Sequence, residues 1–359
     1  MADLEADLSA PRPAAASAIG LVLAAAAAVV ALWFLYEVAE AILLLFFAAV
    51  VATALSAPVR WFVRRGLTFH AASIVTLILF FATIVLIGAL VIPRLVSQIV
   101  LLANRLPALI GQVQTQVNAL LSNYPDLQRF AQFDGGGGGD LVPAAVDIFR
   151  GIGAFSLSLL GFLALMIIFF STIAYIVLDP FPIVRGYVRS LPFGWRRAGM
   201  RAYRRSVQSI IGWSKASLAV GALQAIAVFF FLSLMDIEGA LVWAALAFFA
   251  DFIPRIGGYV MAFPPIVLAL GDGPMAAIWV TLFYIVSNEI LGSIVAPKIR
   301  GTTMQIHPVL IIFFTIAFAL AFGLFGAIVA TPAAAVASAF YSEFYLKRPL
   351  RRVRLVSEA

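Results

Sequence analysis

From Ala71 to Pro93 the chain runs for 23 residues without a formal charge. A bilayer core about 30 Å thick takes about 20 apolar residues as a helix, because no water is present there to satisfy free backbone groups. Comparable uncharged stretches run from Ile19 to Tyr36, Ala41 to Val59, Gly151 to Leu178 and Ala216 to Met235. The expected fold is therefore all-α: a polytopic integral membrane helical protein. Composition agrees, since 64% of the 359 residues are apolar and 11% are charged, against roughly 25% charged in soluble domains. Glu37 and Glu40 follow the first stretch where a signal peptide would carry small residues for cleavage, so that stretch is read as a retained span.

Composition also removes whole classes of chemistry. There is no cysteine and there are only two histidines, His70 and His307, so disulfides, thiolate nucleophiles, iron–sulfur clusters and histidine-rich metal sites have no ligands. No Ser/His/Asp set or pair of carboxylates stands at workable spacing, so neither an enzyme nor a cofactor is expected. The net charge of +7 sits in short runs between apolar stretches, without a soluble basic domain for nucleic acid. It matches the positive-inside rule instead. Alternate threading from a cytoplasmic N-terminus places 20 of the 24 Lys and Arg residues on the cytoplasmic side, with both termini there.

Residues 1–18 read as a disordered leader, 19–93 as three spans, and 94–150 as an external segment. In the last, Leu95, Ile99, Leu102, Leu106, Leu109, Val113, Val117 and Leu120 recur every three or four residues, one amphipathic helical stripe. That stripe fits a helix lying against the external membrane face or the protein's own bundle, or a subunit interface. Five glycines between Asp134 and Asp140 form a linker. Residues 151–235 hold two spans around a basic cytoplasmic loop, 179–215, and 346–359 form a basic tail.

Residues 236–345 differ in kind. Gly239 to Ala250 and Tyr259 to Gly271 are too short to span, and the polar sequence Asp251-Phe-Ile-Pro254-Arg255-Ile-Gly257-Gly258 separates them. Pro308 to Ser342 is too long for one span, with a natural break at Gly323-Leu-Phe-Gly326. Two interrupted or re-entrant hairpins are expected, giving about eight spans, or ten crossings if neither hairpin is re-entrant. Broken helices at membrane depth leave backbone groups free to hold a solute. Asp251, Arg255, Asn288 and Glu289 are the polar side chains placed there, and intramembrane polar groups cost free energy unless they line a cavity or find partners. Arg255 is also explicable as an interfacial cation with Asp251 as its partner, and Glu289 as paired with Lys298 or Arg300. Pro297 and Lys298 are expected to mark a turn, and His307 before Pro308 either starts a helix or relays protons.

At these residues the chain resembles the autoinducer-2 exporter family of permease-like bacterial membrane proteins. The resemblance rests on Phe252-Ile-Pro254-Arg255-Ile-Gly257, Asn288 with Pro297-Lys298-Ile-Arg300-Gly301, Ile306-His307-Pro308, and Leu324-Phe325-Gly326 followed by Ala330-Thr-Pro332. It implies an eight-span transporter in the bacterial cytoplasmic (inner) membrane, assembled as a homo-oligomer, a pentamer by family likeness. Some relatives export a quorum-sensing molecule and others look like sodium/proton antiporters. Arg255 stands where relatives often carry an aromatic or small residue, and Ala321-Phe322 replaces a glycine-rich pair.

Export of a small polar solute through the broken hairpins is the expected function. The pathway would be marked by Asp251, Pro254, Arg255, Gly257, Asn288, Glu289, Pro297, His307, Pro308, Gly323 and Gly326. The alternatives are a sodium or lithium/proton antiporter using Asp251 or Glu289, and a membrane assembly protein that transports nothing. The partners expected are the lipid bilayer, a small-molecule or monovalent cation substrate and further copies of the chain.

Overall fold

A computed structural model describes residues 14–122, 159–254, 256–300 and 308–346. They fall into two compact units, 1–47 and 48–359. The first holds α1 (Ala14–Glu37) and the opening turns of α2 (Ala39–Arg64). α1 is apolar on every side, with Leu21, Val29 and Trp33 all exposed, a pattern that suits lipid as the surrounding solvent. α2 carries Glu40 in its first turn and Arg64 in its last, each charge matching the partial charge at that helix end.

The described residues of the second unit are helical with no strand. α3 (Phe69–Ser122) is one helix of 54 residues, roughly 80 Å at 1.5 Å per residue. The third span and the start of the amphipathic stripe are thus a single rod. Its turns just beyond Arg94 pack on the protein's own bundle: Gln98 lies against Gly239 and Leu101 against the core. The glycine linker lies outside the described residues. α4 (Leu159–Leu178) and α5 (Phe181–Ser190) meet at 86°. Pro180 and Pro182 explain the corner, since proline cannot donate to the preceding turn and its ring crowds the residue before it.

The segment 179–215, expected as a basic loop, is instead helical almost throughout: α5, a 3₁₀ turn (Phe193–Trp195), and the first half of α6 (Arg196–Leu234). Charge density concealed a second periodicity there. Ala202, Ser206, Ile210, Trp213, Ser217, Gln224 and Val228 recur at helical spacing and are all buried. Tyr187 donates to the Gly199 carbonyl at 3.2 Å. Arg201 reaches the buried Glu343 at 2.9 Å and Arg205 donates to Ser342 at 2.8 Å. The arginines hold the far end of the chain against α6.

α7 (Ala240–Ala250), α8 (Gly257–Val260) and α9 (Phe263–Leu270) form the interrupted hairpin. α10 (Pro274–Glu289) continues through a π segment (Ile290–Val295) into α11 (Ala296–Arg300). The turn expected at Pro297 and Lys298 is therefore absent. Pro297 is the second residue of α11, and the widened π turn before it accommodates a ring that an ordinary α-turn would crowd. α6, α7, α9 and α10 enclose the apolar core, in which Val228, Leu232, Trp243, Ala247, Leu268, Val280 and Tyr284 meet. Phe231 and Phe283 stack there at 4.0 Å. Among the described residues six helices are long and apolar enough to cross a membrane, or seven if the bent pair counts as one.

α12 (Pro308–Tyr341) is broken at Gly323, where φ is 62° and ψ −150°, and a π turn (Ser342–Leu346) follows it. Side chains are excluded from this backbone region. The two arms fold so sharply that Gly326 sits beneath the Phe318 carbonyl. Open space surrounds Gly323 itself, so Gly323→Ala isolates backbone strain from packing. It is expected to cost about 1–3 kcal/mol, read as a lowered thermal midpoint in detergent without loss of expression.

Candidate functional site

The broken corner is built around the middle of α6. Gly221 there faces the Phe248 carbonyl and the Asp251 Cβ at the end of α7, so α7 lies nearly backbone to backbone on α6. Trp213, two turns earlier, meets Phe252 edge to face at 5.8 Å. The chain then reverses: Ile256 donates to the Pro254 carbonyl at 2.8 Å and Gly257 to Ile253 at 3.2 Å. Gly257 is pressed beneath the Ala250 carbonyl, and Gly258 beneath the side-chain amide of Asn288 on α10.

α6, α8, α10 and the π segment thus bring polar side chains to this corner. Gln224 on α6 donates to the Ser287 hydroxyl at 3.3 Å, and Ser287 donates to the Tyr284 carbonyl at 3.3 Å. Tyr259, at the end of α8, donates to Glu289 Oε1 at 2.9 Å, and Ser293 donates to Oε2 of the same carboxylate at 3.0 Å. Glu289 stands one residue before the π segment, a widened turn that recurs at functional sites.

What distinguishes the corner is unmet hydrogen bonding. Gln224 is 1% exposed, yet its Oε1 has no hydrogen-bond partner among the described residues, and neither has Nδ2 of Asn288. The same holds for the Trp213 indole N–H and the hydroxyls of Ser214, Ser217 and Tyr284. Trp213, Ser217 and Gln224 share one stripe of α6, so the orphaned groups form a track along that helix. A buried polar group left unpaired costs about 1–3 kcal/mol, and folded proteins satisfy nearly all of them. The exceptions gathered here are chemically a surface for water or a hydroxyl- or amide-bearing solute.

Of the residues chosen from sequence, Asp251, Pro254, Gly257, Asn288 and Glu289 belong to this corner. Arg255 and His307 lie outside the described residues. Pro297 is exposed on α11, and Pro308 opens α12. Gly323 and Gly326 form the separate break within α12. The sequence selection missed Gln224, Ser287, Tyr259 and Ser293. Gln224 alone left a signal, as the one amide within the uncharged stretch from Ala216 to Met235. The others are recognisable only by their partners.

Comparison with known proteins places this corner in context. "Putative transport protein MT0215" of Mycobacterium tuberculosis is 28% identical over 301 residues, 80% of this chain and 78% of its own length. "Putative transport protein YhhT" of Escherichia coli K12 is 23% identical over 291 residues, 78% of each chain. "AI-2 transport protein TqsA" of the same organism is 29% identical over 119 residues, 33% of this chain and 34% of its own. The profile described as AI-2E family transporter matches residues 21–346, nearly the whole length. This multi-pass helical membrane protein, with its broken-helix corner, belongs to the AI-2E transporter family.

Proposed function

We propose that the chain is a permease that exports a small polar solute past the corner of α6, α7, α8 and α10. The observation that carries this reading is the pair of orphaned amide atoms, Gln224 Oε1 and Asn288 Nδ2. Solute hydroxyls can donate to the first and accept from the second, replacing hydration lost on entering the membrane. TqsA's name makes AI-2 the first solute to try. Residence in the bacterial inner membrane with both termini cytoplasmic is part of the same proposal, and the arginine distribution supports it. A homo-oligomer, pentameric by family likeness, belongs to the same proposal.

The test is solute uptake into proteoliposomes. Asn288→Leu preserves side-chain volume and removes the amide, so flux is expected to fall tenfold or more, about 1.4 kcal/mol in rate terms, with the thermal midpoint unchanged. Unaltered flux would overturn the reading. Neither the family description nor the relatives' names support cation/proton exchange. Flux through the parent chain is therefore expected to be independent of an imposed pH gradient, and a pH-driven cation flux that Asp251→Asn with Glu289→Gln abolishes would overturn this.

A further inference from the structure

The right angle between α4 and α5 defines a second surface, remote in sequence from the corner. α4 is apolar and of spanning length, so a helix at 86° to it lies along the membrane face rather than through it. Tyr187 and Val184 of α5 are half-buried toward the protein, with the Tyr187 hydroxyl on Gly199. Arg185 and Arg189, one turn apart, are exposed together. Phe181 is 68% and Phe193 84% exposed, which suits aromatic rings set against a membrane interface.

The α2–α3 corner joins the same surface. The Phe69 ring is 6.4 Å from Phe181, and the Arg65 guanidinium lies 4.5 Å over exposed Trp61. The Arg196 guanidinium repeats that arrangement 5.1 Å over Phe193. From Pro180 to Met235 the chain carries eight cationic residues and no acidic one. The ion pairs described on this face take Arg201 and Arg205, through Glu343.

We propose that this shelf binds the phosphodiester headgroups of anionic phospholipids. Guanidinium groups present paired donors that fit phosphate oxygens, which a lone ammonium does not. The exposed aromatic rings enter the acyl boundary beneath, as aromatic residues do at membrane interfaces. A basic shelf with apolar flanks has a place for both halves of such a lipid, and free phosphate would satisfy only one. The site is independent of the permeation corner, and its readout is lipid binding rather than flux.

The full chain, purified in an uncharged detergent, tests this. Phosphatidylglycerol is expected to raise the thermal midpoint by several degrees, while phosphatidylcholine and inorganic phosphate at matching phosphate concentration leave it in place. Arg185→Gln with Arg189→Gln should lose most of the phosphatidylglycerol shift and keep the midpoint seen in phosphatidylcholine. Each single variant should lose a smaller part of it, which covers the case of a poorly folding double variant. Native mass spectrometry should show fewer phosphatidylglycerol molecules retained by the variants. An equal shift in both lipids, an equal shift with inorganic phosphate, or a full shift in the double variant would each overturn the assignment.

Discussion

Gly257→Ala is expected to be the most damaging single-methyl change in the second unit. A Cβ at Gly257 would fall onto the Ala250 carbonyl, with the Ala250 carbon at 2.6 Å and its Cα at 3.2 Å. All three are backbone atoms, which cannot rotate away as a side chain does. α7 and α8 would have to separate, and α7 is fixed to α6 by the close approach at Gly221. Forcing atoms into a packed interior costs about 1–3 kcal/mol, and the upper end applies where only backbone can yield. A fall in thermal midpoint of roughly 5 °C or more, with much lower yield, is the expected measurement. A variant as stable as the parent would show that the reversal at 251–256 is not packed as described.

Gly258→Ala, one residue later, is expected to behave in the opposite way. Its Cβ would meet the Asn288 side chain, with Cγ at 2.8 Å and Nδ2 at 3.0 Å. That amide is the free end of a side chain and can rotate, so the stability cost should stay below about 1 kcal/mol. Rotation would re-aim the orphaned Nδ2 within the corner. Solute flux should then fall at least tenfold in a protein with nearly unchanged thermal midpoint, about 1.4 kcal/mol of lost transition-state stabilisation. Flux at the parental level would remove Asn288 from the pathway and leave the permease reading without its central group. The adjacent pair therefore separates packing from function by the identity of the atoms struck.

The physical reasons for success and failure differ from residue to residue. The interrupted hairpin was legible because Pro254, Gly257 and Gly258 fall between apolar stretches too short to span, and that pattern is local. The break at Gly323 was legible from length, since 35 uncharged residues exceed one bilayer crossing. The basic stretch 179–215 misled because eleven per cent charge overall makes any cluster of arginines look like a loop. Its buried stripe, Ala202, Ser206, Ile210 and Trp213, shows as such only where α6 is packed, and Arg201 and Arg205 prove to be held by Glu343 and Ser342.

By itself the sequence determined the solvent of this protein, its helical class and two of its helix breaks, at 251–258 and at Gly323. Each follows from the free energy of moving apolar or unpaired polar groups between water and lipid, which depends on neighbours along the chain. Only the tertiary structure decided that Gln224 meets Ser287, 63 residues away, and that Tyr259 meets Glu289, 30 residues away. It also decided which polar atoms are left unmet at the corner. Hydrogen bonds form over about 3 Å, and nothing in a linear order of residues says which side chains will come that close.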